Sequence, residues 1–84
     1  MPSAYILLNI KPDSEQNVIQ QVKNTIKNEN QEARYEIQGV YGVYDVVVKI
    51  ESNKMDDVKN LLAKIRKIDE ISSTITMLVI EEQG

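Results

Sequence analysis

The residues able to do chemistry in this 84-residue chain are few, and what is missing narrows the field first. There is no histidine and no cysteine, so the usual general bases, thiol nucleophiles and Cys/His zinc sites are absent. Only carboxylate–oxygen sites for hard cations remain open. No P-loop, GxGxxG, HExxH, GxSxG or CxxC pattern occurs. Carboxylates pair at Asp56-Asp57, Asp69-Glu70 and Glu81-Glu82. The first pair falls in the opening turn of an expected helix, where negative charge offsets the helix dipole. The other two read as solvated surface. Tyr5, Tyr35, Tyr41 and Tyr44 sit in strand-like runs, where tyrosine is a good β former before it is an acid. This inventory leads us to expect no catalytic residue, no metal and no cofactor.

Two segments stand out. In Tyr41-Gly42-Val43-Tyr44-Asp45, an aspartate follows a glycine turn. It can simply accept hydrogen bonds from turn amides. Beside exposed N–H groups and an aromatic wall, it can also hold a small zwitterion, which needs both signs of charge. In Thr74-Ile75-Thr76, threonines at alternate positions present two hydroxyls on one strand face. Ordinary β propensity on an exposed face is the plainer account of them.

The elements that must position these segments follow from periodicity. Ala4–Lys11 is the first expected strand, ended by Pro12. Asp13 then reads as a helix cap with Gln16 completing a capping box. Val18, Ile19, Val22 and Ile26 predict a helix over about residues 14–27. Asn28–Gln31 reads as a polar loop. Ala33–Tyr41 and Tyr44–Glu51 predict a hairpin turning at Gly42-Val43. Ser52 or Asn53 caps a second helix carrying Met55, Val58, Leu61, Leu62, Ile65 and Ile68 on one stripe, ending near Ile68. Ile71–Glu81 is the last strand, and Glu82–Gly84 is a short polar tail. The order β-α-β-β-α-β is the α+β, ferredoxin-like arrangement, with two helices on one face of a four-stranded antiparallel sheet. No linker interrupts it, so residues 1–84 read as a single domain.

Helices cover one sheet face, and the other should alternate with polar residues if it is wet. Instead Tyr5, Leu7, Val47 and Leu78 predict a second apolar face, larger than soluble monomers leave in water. A small domain without disulfides or zinc is stapled most simply by oligomerisation. Two sheets packed face to face about a two-fold axis are expected. The net charge of −3, with 10 basic and 13 acidic residues interspersed, gives no basic stripe and disfavours direct nucleic-acid binding. Met1-Pro2-Ser3-Ala4 does not read as a signal peptide, and the apolar runs are too short to span a membrane. A cytoplasmic protein is expected.

The chain resembles the C-terminal effector (RAM) domain of Lrp/AsnC, or feast/famine, transcriptional regulators over nearly its whole length. The markers are Gly42-Val43-Tyr44-Asp45 and the strand Val46-Val47-Val48-Lys49 after it. They continue with Met55 opening a helix that carries Leu61-Leu62-Ala63-Lys64-Ile65, and with Ser73–Ile80. The VYGVYD wording is similar to that of archaeal members. The resemblance implies a domain that pairs through its sheets, with dimers assembling into octamers or decamers and effector amino acids bound between neighbouring dimers. On matching positions, Gly42, Val43, Tyr44 and Asp45 would contact the effector, Met55 would line the site, and Thr74, Thr76 and Met77 would join from the last strand. Gly39 departs from relatives that carry a larger side chain there. Full-length relatives place a helix-turn-helix domain ahead of this one. The present chain starts on its first strand, so it resembles the stand-alone sensor type, acting through mixed oligomers with DNA-binding relatives or by sensing a metabolite for another enzyme. Two alternatives stand beside this reading. One is a small dimeric α+β-barrel enzyme, which needs an acid–base group in a cavity where these faces look filled by aliphatics. The other is an assembly subunit with no ligand.

Overall fold

The computed structural model describes residues 2–80. The elements are β1 (Ser3–Ile10), α1 (Glu15–Glu29), β2 (Arg34–Gly39), β3 (Val46–Glu51), α2 (Met55–Ile65) and β4 (Ile71–Val79). They form one antiparallel sheet in the order β2-β3-β1-β4. The expected ferredoxin-like architecture is the observed one. The Cα atoms extend only 16 Å along the shortest axis, the thickness of one helix layer on one sheet, with the second sheet face uncovered.

The core lies between the layers. Ala4, Ile6 and Leu8 of β1 and Val46, Val48 and Ile50 of β3 are fully or almost fully buried. Against them pack Val18, Val22 and Ile26 of α1 and Val58, Leu61 and Ile65 of α2. Helical spacing on one side meets period-two alternation on the other, so each apolar stripe faces one partner. Buried side chains of this size contribute roughly 1.5–3 kcal/mol each, enough to fix which face of each strand turns inward.

Local expectations at the element ends required correction. Asp13 does not cap α1, and no capping box forms with Gln16. Asp13 adopts φ 63°, a left-handed conformation that aspartate tolerates. Ser14 is the cap residue, and its hydroxyl donates to the Lys11 carbonyl at 2.6 Å instead of accepting from the helix. The turn after Pro12 takes the side chain that a cap would have used. α1 also runs on to Glu29, two residues into the expected polar loop, and Lys64 Nζ of α2 lies 2.6 Å from Glu29 Oε1 at that end. Neither Ser52 nor Asn53 caps α2, whose cap position is Lys54. Ser52 is buried, and its hydroxyl donates to Asp57 Oδ2 while accepting from Asn30 Nδ2, tying β3 to both helices. α2 ends at Ile65, although Ile68 remains buried beyond it. The expected end of the last strand at Glu81 and the polar tail lie outside the described residues.

The hairpin differs most. Residues 40–45 form a loop, so Tyr44 and Asp45 precede β3 and the turn is wider than Gly42-Val43. Gly42 has φ 150°, a region side chains avoid. A Cβ there would meet nothing, so the constraint is conformational and not steric.

Candidate functional site

Asp45 is the best-anchored residue of the loop. Its N–H donates to the Leu8 carbonyl at 2.9 Å, its carbonyl accepts from Val40 N–H at 2.9 Å, and Oδ2 accepts from Ile10 N–H at 3.0 Å. β3 begins at Val46, opposite Leu8. The last stretch of β1 therefore outruns its neighbour, and the carboxylate of Asp45 takes the place of the missing strand for Ile10. The anticipated partner, a turn amide, is replaced by an amide from another strand. Oδ1 of Asp45 makes no hydrogen bond within the described residues. The backbone N–H groups of residues 41–44 likewise donate to no backbone carbonyl among the described residues. Tyr41 and Val43 project almost fully into solvent. The loop thus presents free amides, a held carboxylate and apolar side chains at one end of the sheet.

The other expected site residues fall into separate groups. Thr74 pairs with Leu8, and Leu8 also pairs with Val46, so Thr74 stands level with the loop, across β1. Thr76 pairs with Ile6 and accepts from Arg66 Nη2 at 3.0 Å. Both threonines lie on the helix side of the sheet, as their partners Leu8 and Ile6 do. Met77 pairs with Tyr5 and lies on the opposite face. Met55 opens α2, half-buried against the core, beyond the far end of β3 from Asp45. One chain therefore brings Gly42–Asp45 and Thr74 to one end of the sheet and leaves Met55 and Met77 apart. Gly39 ends β2 opposite Val46, with open space where a side chain would project.

The uncovered sheet face is apolar over only half its width. Tyr5 and Leu7 of β1, Val47 of β3 and Ile75, Met77 and Val79 of β4 share it by register. Ile75 and Met77 are each nearly half exposed. Leu78, expected on this face, pairs with Ala4 and so lies on the helix side, partly exposed because β4 is an edge strand. The other half of the face is charged: Arg34, Glu36 and Gln38 of β2 oppose Glu51, Lys49 and Val47 of β3. The expectation of a face filled by aliphatics fails there. A shallow cavity of ≈ 300 Å³ is lined by Arg34, Tyr35, Glu36, Lys49 and Glu51. Sequence reading missed it because each strand taken singly shows only edge-like charges, and the register brings them together.

Lys49 is held 3.2 Å from Glu51 Oε1, with its ammonium 5.7 Å from the centre of the Tyr5 ring. The Glu51 hydrogen bond, followed by the charges of Tyr5, Glu51 and Glu36, raises the lysine above its ordinary value of 10.5. A raised value in the folded state favours the fold below the unfolded pKa, and that contribution is lost as pH rises through the folded pKa. It is therefore fully present at neutral pH. Glu51→Gln is expected to bring the Lys49 titration back down toward 10.5, read by side-chain nitrogen NMR against pH, with little change in melting temperature at pH 7 because the pair is partly open to solvent.

Among the described residues no helix is long and apolar enough to cross a membrane. No protein-family model matches the chain, and no curated protein sequence matches it. Solved structures do. FFRP-DM1 is 33% identical, with a TM-score of 0.77, over 95% of this chain and 100% of its own. The hypothetical protein PHS023 from Pyrococcus horikoshii is 34% identical, with a TM-score of 0.78, over 98% of this chain and 93% of its own. E. coli AsnC superposes with a TM-score of 0.64 at 23% identity, and this chain spans only 52% of it. At that identity AsnC speaks for the fold alone, whereas the first two match a third of their residues from end to end. By that full-length likeness to FFRP-DM1, the chain belongs to the Lrp/AsnC, or feast/famine regulator, family.

Proposed function

We propose that this chain is a non-catalytic module that senses a small amino-acid-like effector and assembles with copies of itself. It would act on transcription through DNA-binding relatives in mixed oligomers, without reading DNA directly. The observation that carries the reading is the hairpin loop, where residues 41–44, whose amides donate to no backbone carbonyl among the described residues, lead into a carboxylate pinned by one oxygen and without a hydrogen bond at the other. A zwitterion needs donors for its carboxylate and an acceptor for its ammonium, and the loop offers both. In this proposal Gly42, Val43, Tyr44 and Asp45 meet the effector's polar groups. Thr74 stands level with the loop in the same chain, and Thr76, Met55 and Met77 complete the site across a seam between chains, since one chain does not gather them. Sheet-paired dimers would build octamers or decamers in the cytoplasm.

The barrel-enzyme reading draws some support from the charged half of the sheet face, which leaves a polar cavity. Lys49, which lines it, is shifted upward, away from the value a general base needs near neutral pH. Nothing else in that cavity supplies a base and a nucleophile together.

Thermal-shift measurements with each of the twenty amino acids, alongside light scattering, test the proposal. A ligand at a hundred times its Kd stabilises the native form by about 2.7 kcal/mol, which for a domain this small raises Tm by roughly 10 °C or more. One amino acid or a narrow group is expected to do so. A flat response to all twenty and their simple derivatives would leave the ligand-free assembly subunit as the better reading.

A further inference from the structure

We propose that the cavity over β2 and β3 is a second binding site, for a small zwitterion, separate from the hairpin loop. It is lined by Arg34, Tyr35, Glu36, Lys49 and Glu51. It lies over β2 and β3 and borders the apolar stripe at Tyr5. Lys49 and Glu51 satisfy each other, and Tyr5 stacks beside the lysine. Arg34 and Glu36 take part in no ion pair within the described residues. They lie on the same face of β2, opposite Glu51 and Lys49 respectively, two residues and so roughly 7 Å apart. One charge of each sign that makes no close ion pair therefore borders a single concavity, Glu36 acting on Lys49 only at longer range.

A molecule with its ammonium and carboxylate one carbon apart answers both. The Arg34 guanidinium can grip the carboxylate through two parallel N–H donors, while Glu36 accepts from the ammonium. An ion of one sign gains less. A lone carboxylate that reaches Arg34 also meets Glu36 and Glu51, and a lone ammonium that reaches Glu36 meets Arg34 and Lys49. The cavity discriminates by charge pattern and has little apolar wall with which to choose a side chain, so small zwitterions are the class that fits. Charges on an edge strand also deter strand-to-strand aggregation. That role requires neither opposite signs side by side nor a concavity.

The test is an amide NMR titration of the intact chain with glycine as probe, and with acetate and methylammonium at matched ionic strength as single-charge probes. Glycine is expected to give saturable shifts at residues 34–38 and 47–51, whether or not the hairpin loop also responds, with neither single-charge probe doing so. Arg34→Gln and Glu36→Gln should each weaken that response at least tenfold with the fold retained, as both side chains are exposed. Asp45→Ala should leave it unchanged. Absence of saturable shifts at these residues, equal shifts from acetate or methylammonium, or survival of the response in both variants would overturn the proposal. Shifts at residues 41–45 alone would overturn it too while supporting the hairpin reading, which keeps the two sites distinguishable.

Discussion

Leu7→Asp is expected to leave a folded chain that no longer self-associates. Leu7 sits at the middle of the uncovered face, opposite Val47 on one side and Ile75 on the other. In a two-fold pairing of sheets each substitution is present twice, so the seam would receive two carboxylates. An unpaired ion taken out of water costs several kcal/mol even after relaxation. That cost adds to the loss of both leucines, at roughly 1.5–3 kcal/mol each, and to the roughly 4–15 kcal/mol that association itself costs, so the half-exposed side chains that remain no longer hold two copies together. Within one chain the same position is only half-buried, so the carboxylate keeps access to solvent and the core behind it stays intact. Light scattering should fall to the monomer mass, and the melting temperature should lose its dependence on protein concentration. Glu36→Ala, on the charged half of the same face, should not change the mass. An oligomer of unchanged mass in Leu7→Asp would show that the sheets do not pair through this stripe, and the assembly half of the proposed function would fall with it.

Features set by periodicity were legible in the sequence. Val18, Val22 and Ile26 repeat at helical spacing, and Val46, Val48 and Ile50 at strand spacing, and each set is buried as its period requires. Features set by competition for hydrogen bonds were not. Asp13 and Ser14 both qualify as helix caps by residue type, yet the Lys11 carbonyl claims the serine hydroxyl and the aspartate turns left-handed. Ser52 looks like a cap and instead holds Asn30 and Asp57. Such choices depend on which carbonyl or amide lies within reach, and that is fixed only when distant segments meet. Register is the same kind of fact. Leu78 was expected on the uncovered face because its own strand is apolar on both sides, and pairing with Ala4 puts it on the other. The charged cavity arises only when Arg34 meets Glu51 and Glu36 meets Lys49.

The candidate site divides along the same line. That Asp45 accepts a hydrogen bond was readable from the glycine turn ahead of it. That its donor is Ile10 was not, since the two are 35 residues apart. The consequence reaches function. Through β1, the loop is mechanically joined to β4: Asp45 holds Leu8 and Ile10, and those residues pair with Thr74 and Ile71. In the proposed function, a ligand on the Asp45 carboxylate would bear through β1 on the strand that carries Thr74; the register of β1 with β4 shifts between Asn9 and Ile10, at that point.

Two substitutions at Asp45 separate its anchoring from its charge. Asp45→Ala leaves the Ile10 N–H without an acceptor, and a part-buried donor stranded in this way costs about 1–3 kcal/mol. For a domain of this size that lowers Tm by roughly 4–8 °C per kcal/mol. The same change removes the acceptor for an effector ammonium, so the ligand-induced shift should vanish while the oligomer mass is retained, the loop lying outside the apolar stripe. Asp45→Asn keeps an oxygen for Ile10 and gives up the charge. A neutral acceptor makes a bond roughly half as strong as an ionised one, so most of the stability should return, but the ligand-induced shift should not, because the amide NH2, itself a donor, would then face the ammonium in place of a carboxylate oxygen. Full recovery of the shift in Asp45→Asn would mean that the carboxylate only holds the loop and that its amides alone bind the effector. Dissociation of the oligomer in either variant would move Asp45 from the ligand site to the assembly seam.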